Sequence, residues 1–157
     1  MNRGGPGVVL VHVEIPGGTP KLELAGRLLT AATLGVMAGV HLDLYSSYDY
    51  KAIPTIGGLF LVNGIAGAVM CLAMLGVPRR FLGLTALGGA GLLAGTALGL
   101  IVALHHPLFG FQDSIHAPHA WTALVDEIVG TGTATALAVA SVRREGIRMV
   151  VGVRRRA

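Results

Sequence analysis

A single cysteine, Cys71, serves all 157 residues, which excludes an intrachain disulfide and a four-cysteine zinc site. Rigidity therefore has to come from packing. Charge is scarce too: Asp, Glu, Lys and Arg make up 13% against 53% hydrophobic residues, too little polar surface to cover a water-soluble globule. The mean hydropathy of +0.70 says the same. Aromatics are only 5% while glycines number 24, which points to backbones in close approach instead of large side chains filling gaps. No G-x-S-x-G element and no phosphate loop occurs, and Cys71 has no histidine near it in sequence, so hydrolase and transferase chemistry find no support.

What is present is four long apolar runs. Crossing the ~30 Å hydrocarbon layer takes about 20 residues as a helix, and 20–45, 54–77, 81–104 and 118–142 qualify. Thr19-Pro20, Pro54 and Pro118 read as start signals, with proline at the first helical position where a missing N–H costs nothing. The first twenty residues hold no apolar stretch of signal-peptide length, so the first helix reads as a retained anchor. The fold expected is all-α, a four-transmembrane-helix up-and-down bundle in one membrane domain over 1–157. It comprises an N-terminal cytoplasmic segment 1–19, the bundle 20–142 and a basic tail 143–157.

Cationic loops stay on the cytoplasmic side. Eleven of the 12 Lys and Arg residues, Arg3, Lys21, Arg27, Arg79, Arg80, Arg143, Arg144, Arg148, Arg154, Arg155 and Arg156, fall on one side of a four-pass chain, and Lys51 alone on the other. Both termini are expected inside, in the plasma (inner) membrane of a bacterium, with loops 46–53 and 105–117 outside. Tyr45, Tyr48, Tyr50, Phe109, Phe111 and Trp121 cluster at that outer interface, where amphipathic rings are favoured. The net charge of +4 follows from this sorting and gives no reason to expect nucleic acid as a partner. The partners expected are the lipid bilayer and a second copy of the chain or a larger membrane complex.

Offsetting the chain against itself by 64 residues pairs His41 with His105, Tyr45 with Phe109, Asp49 with Asp113, Pro54 with Pro118 and Arg79-Arg80 with Arg143-Arg144. Leu and Gly matches are cheap in a chain so biased, but these are not. The bundle thus reads as two repeated helical hairpins about an axis along the membrane normal. Small residues at four-residue spacing, Gly35 and Gly39, then Gly91, Gly95 and Gly99, then Gly130, Ala134 and Ala138, read as ridges on which helices touch. Helices so packed leave no central cavity for a macrocycle such as haem. Asn63, Thr96, Thr131, Thr133 and Thr135 are expected to make interhelical or back-bonded hydrogen bonds.

Five of six histidines, His41, His105, His106, His116 and His119, lie at the outer end with Asp43, Asp49, Asp113, Asp126 and Glu127. If the fourth helix begins before Pro118, His116, His119 and Asp126 share a face. Imidazole with carboxylate suits a divalent transition metal, and His41, His105, His116, His119, Asp126 and Glu127 are the candidate ligands. A hydrogen-bonded structural cluster and a proton or ion path are the other readings. His41 is the expected partner of Asp126 or Glu127, since both depths fall at about 21–24 Å from the inner end. The terminal runs 8–13 and 149–153 are β-branched and short enough to pair as a ribbon.

The sequence His41-x-x-x-Tyr45, then Ile53-Pro54-Thr55-Ile56-Gly57 and Phe60, resembles small four-helix integral membrane proteins of high-GC bacteria. The resemblance implies the four-helix fold and carries no activity across. A looser likeness to DoxX-type membrane proteins is architectural only. The function expected is a non-enzymatic integral membrane protein, an accessory or small-ligand responsive module with a His/Asp-rich outer face and no cofactor. The alternative is a metal-dependent or haem-type redox protein using that cluster.

Overall fold

The computed structural model describes residues 20–154, with side chains described to residue 144. It is all-helical: α1 (Pro20–Ser47), a short 3-10 turn (Tyr50–Ala52), α2 (Ile56–Gly76), α3 (Arg79–His105) and α4 (Ala120–Arg154). All four α-helices are long and apolar enough to cross a membrane, as a multi-pass integral membrane protein requires. The bilayer-facing side is plain on α2, where Val62, Ile65, Val69 and Leu72 point outward at one helical spacing.

The core runs along one stripe of α1. Thr30, Leu34, Met37, His41 and Leu44 recur every three or four residues and are all buried. Leu34, Met37 and Leu93 form a cluster at mid-height, and Ala31, Met74, Leu82, Ala86, Leu137 and Ala138 form another below it. α1 packs chiefly on α2 and α3 chiefly on α4, with α1 also against α4 and α2 against α3.

Polar contacts tie each end of the bundle. At one, Glu23 accepts from Arg79 at 2.9 Å and from Arg144 at 2.6 Å, with Arg27 at 3.7 Å. Arg27 also donates to the carbonyl of Val77 at 2.9 Å, so the start of α1, the turn between α2 and α3, and α4 meet there. At the other end His119 Nε2 lies 2.9 Å from Asp43 Oδ2, and the Tyr50 ring packs at a tilt against Phe60 and edge-on against Phe111. These are called below the Glu23 end and the His119 end.

Helix boundaries depart from the sequence reading in instructive places. Pro54 and Pro118 are not first helical residues; each stands two positions earlier, because Thr55 (φ 64°) and His119 (φ 60°) take the left-handed conformation, which no helix continues through. These two residues are themselves 64 apart. Since α4 begins at Ala120, His116 and His119 lie outside it and do not extend its face toward Asp126. α4 runs on to Arg154, so 149–153 is helical and not a ribbon strand, while 8–13 and the Thr19 cap lie outside the described residues.

Glycine packing is redistributed as well. At Gly130 an added methyl would sit 2.7 Å from Thr33 Oγ1 and 2.8 Å from Leu93 Cδ1, so this glycine does let α4 approach α1 and α3. At Gly91, Gly95 and Gly99 it would meet nothing within 4 Å. That ridge is not a helix contact. It borders open space.

Candidate functional site

The open space is a cavity of about 320 Å³ toward the His119 end, walled by α1, α2, α3, α4 and the loop before α4. Its bulk is apolar, with Leu44, Leu59, Phe60, Leu92 and Leu100 on the walls and the three glycines along one side. The expectation that the Gly91, Gly95 and Gly99 ridge is a helix contact is therefore corrected. Glycine at these positions removes side-chain volume without drawing a neighbour in, and the volume stays open.

Five polar residues line this space: His41, Asn63, Thr96, Asp113 and Glu127. His41, buried on α1, donates Nδ1–H to the Met37 carbonyl at 2.9 Å and packs its ring on Phe60 at 5.0 Å between centroids. A carbonyl accepts only, so the proton is on Nδ1 and Nε2 is left as the acceptor. Thr96 turns its hydroxyl back onto the carbonyls of Leu93 at 3.0 Å and Leu92 at 3.2 Å, as threonines in apolar helices do. Asn63 has no hydrogen-bond partner among the described residues.

Glu127 is the central group. It is 1% exposed, about two turns into α4, and its Oε2 has no hydrogen-bond partner. The Thr96 hydroxyl hydrogen-bonds to its carboxyl group, and no Lys or Arg lines the cavity. Leaving a buried carboxylate oxygen without donor or cation costs several kcal/mol in principle.

At the mouth the groups lie outside the spans and their electrostatics are plain. Burial pushes the Asp113 carboxyl above the ordinary range, partly offset by the Ser114 N–H that donates to it at 2.8 Å. Burial, and then the Asp113 charge, push the Tyr50 phenol up. Asp113 is anchored by its own N–H on the Ala103 carbonyl at 2.9 Å, which holds the loop against the end of α3.

The six candidate metal ligands are not brought together. His41 and Glu127 share the cavity, yet His41 makes no ion pair with Glu127 or Asp126; its Nδ1 is already committed to Met37. Asp126, on the next face of α4, buries its Oδ2 without a partner and does not line the cavity. His105 is exposed and back-bonds to the Ile101 carbonyl at 2.8 Å, as His41 does to Met37. His116 sits in the loop with its backbone N–H on Ser114 Oγ, and His119 pairs with Asp43 under the edge of Tyr48. Among the described residues no three His, Cys, Asp or Glu side chains gather as a metal-ligand set.

Sequence reasoning did not find the cavity, nor Asn63, Thr96 and Asp113 as its wall. One signal was available: Glu127 stands well inside an apolar span with no Lys or Arg at matching depth on another span. No protein-family model, no curated protein and no solved structure matches this chain, so its functional reading rests on this site alone.

Proposed function

We propose that the protein is a non-enzymatic, small-ligand responsive module of the plasma membrane, holding its ligand in the cavity between the four helices. In this reading the helices form an up-and-down bundle of two like hairpins, the termini are cytoplasmic and the His119 end faces out. The shared left-handed residues Thr55 and His119 and the matching back-bonds of His41 and His105 support the repeat. The sorting of arginines supports the orientation.

One observation carries the reading: Glu127, 1% exposed and with one carboxyl oxygen lacking a hydrogen-bond partner, belongs to the wall of an otherwise apolar cavity. Pockets that hold small molecules are mostly apolar, with a few convergent polar groups fixing orientation. A bound ligand stabilises the folded state in proportion to RT ln(1 + [L]/Kd). Thermal unfolding of purified protein in a panel of cationic, neutral and anionic small amphiphiles should therefore show saturable stabilisation by at least one class. Gly95→Leu, which fills the cavity where no atom stands in the way, should abolish it. No stabilisation by any class, or equal stabilisation of Gly95→Leu, contradicts the reading.

A further inference from the structure

Resting on the reading of the cavity as a ligand site, we infer that its ligand is a small amphiphile headed by a single ammonium that still carries N–H bonds, a hydrophobic primary or secondary amine. The hydrogen-bonding capacity of the wall decides the head group. His41 offers only the Nε2 lone pair, because Nδ1–H is spent on Met37. Thr96 brings no free donor, because its one proton is shared among the Leu92 and Leu93 carbonyls and the Glu127 carboxyl. Glu127 adds a carboxyl to the wall, and Asp113 at the mouth is a second. Asn63 alone brings both donors and acceptors. A wall of acceptors calls for a ligand of donors.

Charge narrows the choice further. Two carboxyl side chains line the cavity and no Lys or Arg does, so an anionic ligand meets only repulsion. A neutral alcohol donates one hydrogen bond and offers the carboxyls no opposite charge. An ammonium donates up to three and neutralises Glu127 at the same time. The remaining wall, chiefly Leu59, Phe60, Leu92 and Leu100, takes an apolar tail, and the Phe60 face adds a surface for an aromatic ring. At about 320 Å³ the cavity stands at the small end of ligand pockets, which fits an arylalkyl amine and not a lipid or a macrocycle.

The test uses the full chain in phosphatidylcholine nanodiscs, whose zwitterionic surface does not itself attract amines by net charge. Radiolabelled 2-phenylethylamine is the probe, with 2-phenylethanol and the N,N,N-trimethyl derivative as unlabelled competitors. Saturable binding is expected, with each competitor at least about tenfold weaker than the unlabelled amine. Glu127→Gln is expected to weaken the amine by at least about tenfold, and Gly95→Leu to remove binding. Amine binding that survives Glu127→Gln overturns the inference, as does competition by the trimethyl compound equal to the amine's. If labelled 2-phenylethanol binds as tightly as the amine and is lost in Gly95→Leu, the cavity is a ligand site but the ammonium assignment falls. If neither compound binds the unmodified protein better than Gly95→Leu, the cavity reading falls with it. Should Glu127→Gln fail to fold, the three-compound comparison on the unmodified protein still decides.

Discussion

Two glutamates with little exposed side chain stand at opposite ends of the bundle, and they are handled in opposite ways. Glu23 is 10% exposed in its side chain and meets three guanidinium groups, from Arg27, Arg79 and Arg144. Glu127 is 1% exposed and meets none. Fixing Glu23 joins three helices, so its compensation is explained by the fold. Glu127 meets only the Thr96 hydroxyl, and a buried acid without a cation in an apolar setting is a cost that folding gives no reason to carry. The contrast separates a structural acid from a binding one.

The largest expected effect breaks the compensated side. Glu23→Gln leaves Arg27 partly buried without its anion and should cost about 3 kcal/mol, seen as a lower thermal midpoint. Next comes the packing contrast between two glycines. Gly130→Ala forces a methyl onto Thr33 and Leu93 and should cost about 1–3 kcal/mol. Gly95→Ala meets nothing and should gain up to about 1 kcal/mol from helix propensity, so equal losses at both would refute the open wall.

Glu127→Gln should stabilise the unliganded protein by about 1 kcal/mol or leave it unchanged, because an amide is cheaper to bury than an unpaired carboxylate. A loss like that of Glu23→Gln would erase the distinction. A smaller effect concerns Asp113. Burial raises its folded pKa above the unfolded one, so its contribution is complete below the ordinary carboxylate value of about 3.9 and is lost as pH rises through the raised value. Asp113→Asn should flatten the dependence of thermal midpoint on pH in the window just above that value; an unchanged slope argues against a buried carboxyl there. Chelation should produce the least change: with the outer histidines and acids dispersed, EDTA is expected to leave the midpoint where it was.

The four spans were legible because a long apolar run has few alternative fates, and they agree with the sequence reading to within two or three residues at most ends. Pro54 and Pro118 misled by two positions, since proline is tolerated before a left-handed residue as readily as at the start of a helix. Glu127 and His41 were legible as costly groups at matching depth. Their relation was not, because it depends on which ring nitrogen His41 spends on its own helix, a choice invisible in a residue list. Gly91, Gly95 and Gly99 could not be read from spacing alone: a small residue permits either a close neighbour or an empty space, and only the positions of the other helices decide which.

The most direct measurement is labelling with a hydrophobic carbodiimide, which adds a carboxyl group across its C=N bond and rearranges to a stable N-acylurea. Intact protein would be labelled in lipid and the adduct mapped by peptide mass spectrometry. The expected result is modification of Glu127, absent from Gly95→Leu, with Glu23 spared by its three arginines. Unlabelled Glu127, or labelling that Gly95→Leu does not diminish, would contradict an open cavity beside an acid that no cation compensates.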